Sequence, residues 1–160
     1  LARLMHSYDI AGLRILEVGC GIGLASIVLS TRDADITACD HHPSVASFLR
    51  ANAELNGLAP IAFVRTGWAD ANLELGRFDL IIGSDLLYEP SSPELLSGFV
   101  ARHSKPACRM VLVDPGRGLQ SKFTARMVEH GYVHESTKRV DSTAPNAYKG
   151  QVLSYVKSLS

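Results

Sequence analysis

Apolar residues in this chain fall into short dense runs separated by stretches with helical spacing. Ile15 to Val18, Ile36 to Cys39, Ile61 to Val64, Phe78 to Asp85 and Met110 to Val113 are the runs, and Gly, Pro or Asp bounds most of them. Short runs of this kind predict buried strands. Phe78-Asp79-Leu80-Ile81-Ile82 is nearly unbroken in its apolar character, which predicts cover on both faces, as in a parallel sheet. Between the runs the period lengthens to that of a helix. Leu24, Ile27 and Val28 form one such face, and Val45, Phe48, Leu49 and Ala53 a second. Leu95, Leu96, Phe99 and Val100 form a third, and Leu119, Phe123 and Met127 a fourth. Pro43 opens the second helix and Gly57 closes it; Ser92 caps the third before Pro93 and Glu94, and Gly131 stops the fourth. Two further strands, Tyr132 to Val140 and Gln151 to Val156, are joined by Asp141 to Gly150, which has no helical pattern, so they should be antiparallel. Alternating strands and helices predict an α/β fold: a doubly wound, mostly parallel sheet with helices on both faces, finished by an antiparallel hairpin.

Composition adds limits. A chain of 160 residues is expected to form one domain over 1–160, and its 46% hydrophobic and 20% charged residues suit a soluble globular protein. Sixteen basic and sixteen acidic residues cancel, so no broad basic face is expected and nucleic acid is disfavoured as a partner. Cys20, Cys39 and Cys108 are too scattered for a disulfide framework or a zinc site. Each lies in a strand or at its end, where a small buried thiol is expected. Their state, together with the lack of a signal-peptide pattern or a run of membrane-spanning length, points to a cytoplasmic protein without a membrane partner. Leu1, Leu4 and Met5 share one helical face and read as the tail of a longer helix, so an N-terminal piece is expected to be missing.

Candidate chemistry gathers at the ends of the predicted strands. Glu17-Val18-Gly19-Cys20-Gly21-Ile22-Gly23 breaks the first strand into a glycine turn that feeds a helix. Such a turn lets a ligand approach the main chain, and the helix start offers unpaired N–H groups. A dinucleotide fingerprint would need glycine at position 24, where Leu24 stands. Glu17 so close to the turn would repel a pyrophosphate but pair with a cationic ligand group. Asp40 ends the second strand roughly 20 positions on, where α/β cofactor folds grip ribose hydroxyls; capping the next helix is its other reading. His41 and His42 follow Cys39 and Asp40 directly, but neighbours on an extended chain point opposite ways, so no metal site is expected and His41 lies beside the cofactor. Trp68, the only tryptophan, lies in Gly67-Trp68-Ala69-Asp70 after the third strand, and filling the core is its plainer reading. Ser84-Asp85-Leu86-Leu87-Tyr88 ends the fourth strand at the edge where open α/β sheets bind ligands. A loop-capping carboxylate and a half-buried ring are the plainer readings of Asp85 and Tyr88. Arg117, in Asp114-Pro115-Gly116-Arg117-Gly118, reaches the same edge, to contact substrate or close the site, or sits there as an ordinary surface arginine.

Glu-x-Gly-x-Gly-x-Gly at 17–23 resembles the cofactor loop of the class I, seven-strand methyltransferases. Phe-Asp-Leu-Ile-Ile-Gly-Ser-Asp-Leu-Leu-Tyr-Glu-Pro at 78–90 resembles the D-x-x-Y signature of their methyltransferase-16 group, the seven-strand protein lysine methyltransferases. The resemblance runs from Arg14 to Pro90 and is looser beyond. It implies a seven-strand Rossmann-like sheet and S-adenosyl-L-methionine as cofactor. Glu17, Gly19, Cys20, Gly21, Gly23, Asp40, His41, Trp68 and Ser84 would hold the cofactor, and Asp85 and Tyr88 would orient the acceptor amine. A lysine side chain of a protein substrate is the acceptor it implies, with a small-molecule amine, a protein histidine, or a non-catalytic cofactor-binding domain as alternatives. Gly67 stands where the family often carries an acid facing adenine, which leaves that contact to Asp70 or to the backbone.

Overall fold

The apolar runs do become strands, and the helical stretches become helices. The computed structural model describes residues 1–71, 75–139 and 150–157. In chain order the elements are α1 (Ala2–Met5), β1 (Arg14–Val18), α2 (Leu24–Ser30), β2 (Asp35–Asp40), α3 (Val45–Leu55), β3 (Ala62–Arg65) and β4 (Phe78–Ser84). They continue with α4 (Ser92–His103), β5 (Ser104–Asp114), α5 (Gln120–Glu129), β6 (Tyr132–Arg139) and β7 (Gln151–Lys157). Val140 and residues 141–149 of the expected connecting loop lie outside the described residues.

One seven-stranded sheet runs in the order β3-β2-β1-β4-β5-β7-β6. The first five of these strands are parallel; β7 is antiparallel to both β5 and β6, inserted between them. Strand order reverses between β1 and β4, and the crevice outside the carboxyl ends of strands at such a switch point is where α/β sheets take ligands. The sheet is covered on both faces. Leu16 and Val18 of β1 pack with Leu96 and Phe99 of α4 and with Phe123 and Met127 of α5. Ile15, one residue out of phase, packs with Met5 of α1 and with Ala25 and Leu29 of α2. Alternate residues of a strand point to opposite faces, so a strand covered on both sides must be apolar throughout.

Three expected inward side chains are exposed instead. Leu24 is 57% exposed, Phe48 56% and Leu95 39%. The stripe on α2 is carried by Ala25, Ile27 and Leu29, and that on α3 by Val45, Leu49 and Ala53 at four-residue steps, with Phe48 turned outward. Leu95 sits beside the inward Leu96 but faces a cavity rather than the core. Ser92 is the first residue of α4, not its cap; its buried hydroxyl accepts the N–H of Glu89 at 3.1 Å. The three cysteines are free and buried.

The turn after β1 depends on glycine. Gly23 caps α2 at φ +76, and a Cβ there would run into the Leu49 side chain of α3. Gly21, at φ +54, faces open space. Gly23→Ala should therefore lose about 2 kcal/mol, left-handed strain plus overpacking, against about 1 kcal/mol for Gly21→Ala. Urea denaturation of both variants checks the difference, and equal midpoints would rule out the packing contribution.

Candidate functional site

Sequence and sheet order together bring the ends of β1, β2 and β4 into one place. After β2, the Asp40 carboxylate is drawn back into the fold by two backbone donors. Gly21 N–H donates to its Oδ2 at 3.1 Å and His42 N–H to its Oδ1 at 2.9 Å. Asp40 thus ties the glycine turn to the end of β2 rather than capping α3, whose N-cap is Ser44. His41 Nδ1 lies 3.5 Å from Asp40 Oδ1, with the His41 side chain 70% exposed and that of Asp40 only 10%.

After β3, the turn at Thr66-Gly67 is closed by Asp70, whose Oδ2 accepts the Gly67 N–H at 2.6 Å and the Thr66 hydroxyl at 3.1 Å. Arg102 of α4 donates to the Trp68 carbonyl at 2.6 Å, which fastens this loop to the helix beneath it. The Trp68 ring is partly buried against the core and lies 6.4 Å from the Tyr88 ring, centre to centre.

After β4, Ser84 gives way to Asp85 in a left-handed backbone conformation, φ +54, with its N–H donating to the Val113 carbonyl of β5 at 2.8 Å. Its carboxylate is gripped by Arg117 through two bonds, Nε to Oδ1 and Nη2 to Oδ2, each 2.8 Å. These hydrogen bonds hold the Asp85 carboxyl below its ordinary range. Burial, with the nearby charges of Glu89 and Asp40, pushes the Tyr88 phenol up. The phenol therefore stays protonated at neutral pH.

These ends enclose a cavity of about 430 Å³. Gly19, Asp40, His41, Trp68, Ser84, Asp85 and Tyr88 line it. That volume suits a nucleoside-sized ligand. Glu17, Cys20, Gly21 and Gly23 are not in its wall. Glu17 lies beneath the turn, 5% exposed, where its Oε2 accepts the Ser26 N–H at 2.8 Å and the Ser26 hydroxyl. Burial raises this carboxyl to about 7. The thiols of Cys20 and Cys39 are also pushed up by burial, Cys39 to about 12, so neither is a thiolate at neutral pH.

Two features were out of reach of sequence spacing. Asp114 was visible only as part of a turn, yet it is fully buried and accepts the Gly116 N–H at 2.8 Å and the Gln120 side chain, so it shapes the loop that carries Arg117. The Asp85–Arg117 pair joins residues 32 apart in the chain and exists only because β4 and β5 are neighbours. The Asp-Pro-Gly-Arg-Gly turn was the one available signal.

The lining fits an adenosyl ligand. Asp40 presents a carboxylate to the cavity, the turn at Gly19 allows close approach, and two aromatic rings stand at one side. Comparison with known proteins agrees with that chemistry. The methyltransferase-domain family profile matches residues 15–107. The protein N-lysine methyltransferase METTL21A of Danio rerio is 35% identical over 100 residues, 58% of this chain and 45% of that protein. The electron transfer flavoprotein beta subunit lysine methyltransferase of Xenopus laevis is 32% identical over 110 residues, 68% of this chain and 44% of that protein. The chain thus spans about half the length of the curated relatives it matches. Magnesium protoporphyrin IX methyltransferase from Synechocystis PCC 6803, crystallised with S-adenosylmethionine, shares the fold with a TM-score of 0.76. It covers 98% of this chain and 76% of its own, at 20% identity.

Proposed function

Because this chain belongs to the methyltransferase-domain family, the S-adenosylmethionine-dependent methyltransferases, we propose that it transfers a methyl group to the side-chain amine of a lysine in a protein substrate. The observation that carries this reading is that Asp40 and the pair Asp85 and Tyr88 face one cavity. A cofactor-gripping carboxylate and an amine-orienting group then act across the same space. Bound S-adenosylmethionine supplies a methyl group on a sulfonium, whose departure leaves a neutral thioether.

In this reading Asp40 accepts hydrogen bonds from the ribose hydroxyls, while Gly19, Cys20, Gly21 and Gly23 let the backbone come close. Trp68, His41 and Ser84 border the cofactor, and Glu17, behind the turn, faces the cofactor's ammonium with a carboxyl that ionises near pH 7. Asp85 accepts hydrogen bonds from the acceptor nitrogen, and Tyr88 flanks it with its ring. Alignment is the main task, since the reaction is an in-line displacement with a good leaving group. The amine must shed its proton first, because a lysine near its reference pKa of about 10.4 is mostly ammonium at neutral pH. The D-x-x-Y resemblance at Asp85 to Tyr88 and the lysine methyltransferases among the relatives support lysine as the acceptor.

The test is methyl transfer from labelled S-adenosylmethionine into protein, followed by hydrolysis and identification of the labelled residue. Methyl-lysine is expected. Label in another residue, or none, would sink the lysine reading. Asp85→Asn should lower the rate about tenfold, the loss of one charged hydrogen bond, with S-adenosylhomocysteine affinity unchanged.

A further inference from the structure

A carboxylate meant only to attract an ammonium would be left bare. Asp85 is instead paired from outside the cavity, and both ends of the pair are anchored on the end of β5. On one side, Asp85 donates its N–H to Val113. On the other, the buried Asp114 fixes Gly116, and Gly116 and Gly118, at φ +92 and +86, bracket Arg117. The fork has two 2.8 Å bonds on half-exposed side chains, and the backbone on each side of it is fixed to β5.

Resting on the amine-acceptor reading above, we propose that Arg117 sets the form in which the acceptor binds. By neutralising Asp85, it makes the site take the amine uncharged. A bare carboxylate favours the charged form of any amine beside it, which would retain the ammonium that has no lone pair to attack with. The guanidinium is always charged and uses one lone pair on each oxygen. Each oxygen keeps another, so Asp85 still accepts an N–H from the acceptor and still orients it. What it loses is net pull on positive charge. The acceptor's proton is left in water before binding.

Among the described residues, other charged and titratable groups around the pair include Asp40 and His41 at the end of β2, Tyr88 and Glu89 from the loop after β4, Asp114 from β5, and Lys122 of α5, which donates to the Pro90 carbonyl. All of them are retained in the variants below, so a difference between variants belongs to position 117.

The probe is trifluoroethylamine, whose charge changes between mildly acidic and neutral pH. It is titrated by fluorine NMR into the S-adenosylhomocysteine-saturated protein across that range. The wild type should bind it more tightly as the probe loses its proton. Arg117→Met should bind the charged probe about three- to fivefold more tightly than the wild type does, flattening or reversing the trend. Arg117→Lys, which keeps the positive charge, should follow the wild-type trend. Arg117→Gln carries the same comparison should the methionine variant not fold, and unchanged S-adenosylhomocysteine affinity checks each variant.

The proposal is overturned by one pH trend shared by wild type and Arg117→Met, by a wild type that prefers the charged probe, or by no amine binding in either protein. A protein that shows the expected trends but yields no methyl-lysine would sink the lysine reading and leave the role of Arg117 standing. A protein that does not bind S-adenosylhomocysteine would sink the cofactor reading, and the amine titration without it then decides on the same criteria.

Discussion

Asp40→Ala should weaken S-adenosylhomocysteine binding about a hundredfold in a calorimetric titration. Two charged hydrogen bonds to a ribose diol, at about 1.5 kcal/mol each, account for that factor at about 1.4 kcal/mol per tenfold. The side chain has a second task, since Gly21 N–H and His42 N–H both donate to it. Its removal therefore also loosens the turn that the ligand must approach. Asp40→Asn separates the two tasks. An amide oxygen still accepts one backbone N–H, so the turn is largely kept while the charge and one acceptor go; its affinity should fall between wild type and alanine. Binding by Asp40→Ala within about threefold of wild type would remove Asp40 from the cofactor site and leave it as a turn anchor.

The second large effect concerns stability. Burial raises Glu17 to about 7, whereas the same carboxyl in the unfolded chain titrates near 4.5. Between those values the folded state holds a proton that the unfolded state has released. Stability from this group is therefore full below about pH 4.5 and is lost as pH rises toward 7. A difference of that size corresponds to about 3 kcal/mol. Glu17→Gln keeps a carbonyl to accept from Ser26 but cannot ionise. It should match the wild type at pH 4.5 and exceed it by about 2–3 kcal/mol at pH 8 in urea denaturation. Parallel pH profiles for the two proteins would show that Glu17 is not the group responsible. If the cofactor's ammonium lies toward Glu17, binding should tighten from pH 5 to 7.5 in the wild type and not in the glutamine variant.

The strands were the most legible part of this chain. Burial on both faces leaves β1 and β4 with no polar alternation, and glycine ends β1 abruptly. Helix faces were less so: Phe48 and Leu49 are adjacent and both apolar, and it is packing with Cys20, Ala38 and Val45 that turns Leu49 inward. β5 starts at Ser104, before the apolar run at Met110, because Ser104 pairs with Phe78 ahead of a register shift. Insertion of β7 between β5 and β6 is a matter of strand order, which periodicity does not encode. At the site, residues close to a strand end were readable because the fold class places such ends together. The Asp85–Arg117 fork was not, since it depends on which strands become neighbours and on how a buried Asp114 bends the following loop.

The left-handed backbone at Asp85 bears on how this site can change over generations. Glycine and asparagine tolerate that conformation as well as aspartate does, whereas branched or bulky residues resist it. Asparagine is one base change from aspartate, and so is glycine. Mutational drift here therefore tends toward residues that keep the turn intact while discarding the carboxylate. Lineages descended from such a chain have a short route to folded proteins that still carry the cofactor cavity but have abandoned the acceptor, free to be recruited as binding partners.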